Sequence, residues 1–96
     1  MAEASLRIDK FLWFARLAKT RDAAQAAAEA GQIRLDGRRV DRAHAPVRVG
    51  SVIALVRGGA VRVLRVEALP TRRGPPAEAA ALYTDLAGID AAPGPQ

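Results

Sequence analysis

Beyond residue 32 the chain is cut every few residues by a turn signal, and no long element fits between the cuts. Asp36-Gly37, Gly50-Ser51 and Gly58-Gly59 separate short runs rich in valine, isoleucine and leucine. An Asp-Gly pair favours the left-handed backbone of a two-residue hairpin turn. Ile33-Arg34-Leu35 alternates apolar and polar groups before that pair, and Val40 falls on the return strand. Residues 43–46 read as a loop. Residues 52–57 and 61–69 are two further β-rich runs joined by Gly58-Gly59, and Pro70 ends the second. In that second run Val61, Val63 and Leu64 are expected to face inward, with Arg62 and Arg65 toward solvent. This part of the chain therefore predicts a small antiparallel sheet.

The period changes in the first 32 residues. Ile8, Phe11, Leu12, Ala15 and Ala18 recur at helical spacing and predict a helix over 8–18 with one buried face. Lys10, Trp13 and Arg16 fall on a neighbouring face. Thr20 is a good N-cap for a second helix through residues 23–30, and Asp22 suits the positive end of its dipole. Gly31 is a natural stop. Residues 72–76, Arg-Arg-Gly-Pro-Pro, read as a basic turn, with Pro76 opening a helix that runs to Tyr83 or Leu86. Residues 87–96 contain Gly88, Pro93, Gly94 and Pro95 and are expected to be disordered. At 96 residues the chain has room for one domain. The fold class predicted is α+β, with two short helices packed on a small antiparallel sheet plus a C-terminal helix. The core should be small, because 22 of the hydrophobic residues are alanines.

Charge points to the partner. Residues 1–73 carry all fifteen basic residues against seven acidic ones, a balance of +8, whereas residues 74–96 carry only Glu78, Asp85 and Asp90. A basic body suits a polyanion, most often nucleic acid. The basic residues are also placed in sequence. Arg7, Lys10 and Arg16 belong to the first helix. Lys19 and Arg21 flank Thr20 at the start of the second, and Arg34, Arg38 and Arg39 decorate the hairpin. Free N–H groups, helix dipole and guanidinium together make a phosphate site at a helix start. Arg72 and Arg73 offer a secondary contact. Trp13 could stack on a base, but a lone tryptophan at a helix edge is better explained as packing.

Catalytic chemistry finds little support. His44 is the sole histidine and cysteine is absent, which excludes thiolate nucleophiles and cysteine-based zinc sites. Ser5 and Ser51 lack a nucleophile-elbow context, and Gly58-Gly59 lacks the surrounding phosphate-loop pattern. No enzyme activity, metal or cofactor is expected. The longest apolar run is five residues, too short for a membrane span, and no secretory leader is evident. A cytoplasmic protein is the expectation.

The residues also follow a known pattern. Arg7-Ile8-Asp9-Lys10-x-Leu12, Lys19-Thr20-Arg21-x-x-Ala24, Gly31-x-Ile33-x-Leu35-Asp36-Gly37-x-x-Val40 and Val49-Gly50-Ser51-x-Ile53 resemble the RNA-binding domain named after small-subunit ribosomal protein S-four, the alpha-L motif. The stretch from Phe11 to Arg16 and the segment from Arg72 to Tyr83 narrow the resemblance to the ribosome-associated heat shock protein 15 family.

The resemblance implies an RNA-binding domain with a β extension over 6–69, then a basic turn and C-terminal helix over 70–86. It implies binding rather than catalysis, with structured ribosomal RNA on the free large ribosomal subunit as partner, and peptidyl-tRNA alongside. The role implied is rescue or recycling of stalled translation. An accessory module in RNA modification or ribosome assembly is the alternative. The motif's RNA surface maps onto Arg7, Lys10, Arg16, Lys19, Thr20 and Arg21, with Arg34, Arg38 and Arg39 at its edge. Asp9 is assigned to capping or to orienting a neighbouring arginine. No preference for DNA is expected, and a small basic module is expected to be a monomer. Ala27 and Ala28 stand where the domain often carries larger aliphatics, so the core is expected to be smaller or filled by Phe11 and Phe14.

Overall fold

Ile8, Phe11 and Leu12 are spaced to bury one face, and they anchor the first helix, α1, over Ile8–Phe14. The structure is a computed structural model that describes residues 4–57 and 59–86. Helix α1 is four residues shorter than the 8–18 span predicted from its apolar period. It ends in a reverse turn in which the Arg16 N–H donates to the Trp13 carbonyl at 3.1 Å and the Leu17 N–H to the Leu12 carbonyl at 2.8 Å. Arg16 takes the left-handed position of this motif, at φ 60°. The burial pattern still holds past the helix end, because the turn folds Ala15, Leu17 and Ala18 inward.

The second helix, α2, spans Arg21–Glu29. The Thr20 hydroxyl accepts from the Ala23 N–H at 3.0 Å, so the predicted N-cap is present. Gly31, at φ 76°, closes the other end. Its N–H donates to the Ala28 carbonyl at 3.2 Å, and that of Gln32 to the Ala27 carbonyl at 3.1 Å. Ala24 and Ala28 are fully buried against the core. Small side chains at Ala24 and Ala27 leave a groove of about 430 Å3 bordered also by Leu12, Ile33 and Leu55. Phe11 fills the centre while Phe14 stays half-buried.

Among the described residues there are seven strands. Leu6–Arg7 (β1) pairs with Pro46–Val47 (β4) as a separate antiparallel pair. The other strands are Ile33–Leu35 (β2), Arg38–Arg39 (β3), Val52–Arg57 (β5), Ala60–Val66 (β6) and Tyr83–Asp85 (β7). They form one antiparallel sheet in the order β3-β2-β5-β6-β7. Asp36 and Gly37 make the predicted tight turn, at φ 53° and 84°. The Asp36 carboxylate also accepts the Val52 N–H at 2.9 Å, which ties the hairpin to β5.

Register corrects the expected facing of β6. Ile53 pairs with Leu64 and Val56 with Val61. Directly opposed residues share a face, so Leu64 and Val66 join the buried Ile53, whereas Val61 lies on the outer face and is 58% exposed. The C-terminal helix is also corrected. Helix α3 spans only Pro76–Ala80, starting at Pro76 as predicted, and Tyr83 lies in β7 opposite Val66. An edge of β6 left unpaired favours a strand there, and Tyr-Thr is better strand than helix former. Gly58 and the expected disordered tail lie outside the described residues.

Candidate nucleic-acid interface

Asp9 is the centre of the basic surface. It sits in the first turn of α1, is fully buried, and carries the densest polar network among the described residues. Its carboxylate accepts from Arg7 Nε at 2.6 Å and from a terminal nitrogen of Arg7 at 3.0 Å. It also accepts the Lys10 backbone N–H at 2.8 Å, Gln25 Nε2 at 3.2 Å and Arg21 Nε at 3.4 Å. Burial pushes the carboxyl upward, but the hydrogen bonds from Arg7, Gln25 and Lys10 and the Arg7 charge outweigh it and hold its pKa below the ordinary 3.8. The group is an anion that fixes two guanidiniums, each about one third exposed. Arg7 at the entry to α1 and Arg21 at the start of α2 are thereby set on one site, with open donors toward solvent.

The remaining candidates divide. Lys19 and Thr20 are exposed at the start of α2, next to Arg21, and Lys10 is half-buried one residue after Asp9. Lys10 and Lys19 make no ion pair among the described residues. Arg34 and Arg39 are opposed across β2 and β3, on the outer sheet face. The Arg39 guanidinium lies where a Cβ on Gly31 would stand. Arg38 opposes Leu35 and points to the other face. Arg34, Arg38 and Arg39 are exposed.

Arg16 and Arg73 are held by main chain instead. Arg16 Nε donates to the Gly74 carbonyl at 2.8 Å, and Arg73 Nε donates to the Trp13 carbonyl at 3.1 Å. These reciprocal ties fasten residues 73–74 to the end of α1. Trp13 is half-buried, with its ring 5.4 Å from that of Phe14, as the packing reading expects. Arg72 pairs with Glu78 at 3.0 Å. Gln25 was not singled out from sequence. Its position four residues after Arg21, hence on the same helix face, is the signal that could have found it.

No metal-ligating group of three is present among the described residues, and no helix there is long and apolar enough to cross a membrane. The S4 domain family model matches residues 6–53, the span that contains the Asp9 network and the β2–β3 hairpin. The solved structure of heat shock protein 15 from Vibrio cholerae superposes with a TM-score of 0.80 at 32% identity, covering 88% of this chain and 85% of that one.

This chain belongs to the heat shock protein 15 family.

Further members agree. Heat shock protein 15 homolog of Haemophilus influenzae is 35% identical over 85 residues, or 88% of this chain and 64% of that protein. Heat shock protein 15 of Escherichia coli is 35% identical over 82 residues, or 85% of this chain and 61% of that protein. The chain thus spans less than two thirds of these curated relatives. The Vibrio cholerae heat shock protein 15 structure is trimeric, which conflicts with the monomer expected from sequence.

Proposed function

We propose that this heat shock protein 15 family member is an RNA-binding protein of the translation apparatus. It grips structured ribosomal RNA on the free large subunit carrying a nascent chain on transfer RNA, in rescue or recycling of stalled translation in the cytoplasm. One observation carries the reading. A buried carboxylate holds Arg7 and Arg21 together beside the capped start of α2. A guanidinium already fixed by its own anion loses little side-chain freedom on meeting a phosphate. The N–H groups at the helix start and Lys19 add to the same anion site. Arg7, Lys10, Lys19, Thr20 and Arg21 form the principal surface, with Arg34, Arg38 and Arg39 at its edge. Arg16 and Arg73 serve this surface by fastening residues 73–74 to the end of α1, and the exposed Arg72 is a secondary contact. Recognition of this kind reads RNA shape and backbone rather than bases.

The test is sedimentation of the tagged protein through sucrose gradients of cell lysate at low and high salt. Co-migration with free large subunits, lost at high salt and lost with Arg21→Ala, supports the reading. Migration at the top of the gradient in every condition overturns the ribosomal part. Binding to a purified RNA stem–loop tests the coarser part. With four to six phosphates engaged, log K should fall against log salt with a slope of roughly −3 to −5, and Arg21→Ala should weaken binding by about 1–3 kcal/mol.

A further inference from the structure

The loop after the β2–β3 hairpin folds back along the start of α1. The Ile8 N–H donates to the Ala45 carbonyl at 2.8 Å, and the Asp9 N–H to the Ala43 carbonyl at 3.2 Å. The β1–β4 register sets Arg7 directly opposite the exposed Pro46, while Val47 beside it is fully buried. Between this loop and the hairpin lies an open cleft of about 590 Å3. Pro46 forms part of its lining, so the cleft adjoins the strand that carries Arg7.

The lining is basic on both walls. Arg38 comes from the hairpin, and Arg42 and Arg48 from the loop, with His44 between them. Two carboxylates also border the cleft, and both are engaged. Asp36 accepts the Val52 N–H at 2.9 Å, and Asp41 pairs with Arg42 at 3.4 Å with both side chains mostly exposed. An exposed pair of that length restrains its partners weakly. Four arginines against two carboxylates leave the lining net positive, and a concave surface of net positive charge focuses its field on an incoming polyanion.

We propose that this cleft is a second phosphate-backbone site, taking the RNA strand as it continues past Arg7 from the surface at the start of α2. The inference rests on the RNA-binding reading above and extends it to Arg42, His44 and Arg48, which the sequence left unassigned. Guanidiniums from two walls can grip a phosphodiester from both sides. Adjacency to Arg7 favours a continuous backbone over a short acidic peptide, because one strand can occupy both sites.

Fluorescence anisotropy with a labelled RNA stem–loop tests it, with the thermal melt of each variant recorded alongside. The double variant Arg38→Ala/Arg42→Ala removes two exposed side chains and should melt like the wild type. Its affinity should fall roughly tenfold or more, and its salt slope should flatten by about two units. Asp41→Asn, which removes a negative charge from the rim, should tighten binding. An unchanged affinity and slope in the double variant, while Arg21→Ala still weakens binding, overturns the cleft alone. A wild type that does not bind the stem–loop overturns both readings. If the double variant loses poly-glutamate binding and keeps RNA binding, the cleft serves acidic protein segments and the RNA assignment is overturned.

Discussion

Helices α1 and α2 lie side by side, carry the candidate surface between them, and are fastened in opposite ways. Helix α2 is closed by its own neighbours in sequence, with Thr20 capping its start and Gly31 its end. Helix α1 has no side-chain cap on its first residue and no glycine at its end. Its start is held through Asp9 by Arg7, Arg21 and Gln25. Its end is held through the left-handed Arg16 by the Gly74 carbonyl, and through the Trp13 carbonyl by Arg73. One helix is a local object and its partner is a long-range one. The long-range one brings functional groups together from both helices, because the contacts that fasten it are made by arginines.

Substitutions at three of the four helix ends should expose this difference. Asp9→Ala is expected to have the largest effect, destabilising the fold by about 3 kcal/mol, since it strips three side-chain donors of one buried acceptor. Chemical denaturation reads the loss, and RNA affinity should fall with it because Arg7 and Arg21 are released together. The same carboxylate makes stability sensitive to acid. Its folded pKa lies below its ordinary value, so its contribution is complete above the ordinary value and lost as pH falls through the folded one. The urea midpoint of the wild type should therefore drop on acidification below about pH 4 more steeply than that of Asp9→Asn.

Arg16→Ala comes next, at about 1–2 kcal/mol, because it loses the tie to Gly74 and keeps the left-handed strain. Arg16→Gly relieves that strain and should recover about half the loss. Equal melts for the alanine and glycine variants would mean that the strain is not felt. Thr20→Ala should cost about 1 kcal/mol, the usual value of a lost cap. Arg72→Ala, which breaks an exposed pair with Glu78, should change the melt by less than about 0.5 kcal/mol.

The same difference explains what could be read in the sequence. Thr20, Asp22 and Gly31 announce α2 because each acts within a turn of its own position. The Asp36-Gly37 hairpin was legible for the same reason. The end of α1 was not, because arginine carries no preference for a left-handed stop, and the contact that tolerates it comes from 58 residues away. Arg16 reads as an RNA contact from its charge, and its Nε bond to the Gly74 carbonyl is not legible beside that reading. Strand β7 falls within the helix expected from Pro76 onward, and the unpaired edge of β6 that recruits Tyr83 cannot be seen in a local window. The facing of Val61 and Val66 depends on the β5–β6 register, which only the paired strands define. Of the site, the basic residues at the start of α2 and the orienting role of Asp9 were legible. The convergence of Arg7, Arg21 and Gln25 on one carboxylate was not, since it depends on how the two helices pack.

The ties between Arg16 and Gly74, and between Trp13 and Arg73, have a consequence for the order in which the molecule is completed. They span 58 and 60 positions. During synthesis the chain emerges from its N-terminus, so α1 is among the first elements to appear and among the last to be secured. Until residue 74 is free to fold back, the left-handed turn at Arg16 has only its own backbone hydrogen bonds to offset its strain, and the close of α1 remains provisional. Helix α1 is thus made well before the residues that fasten its end, with strands β2 to β6 made in between.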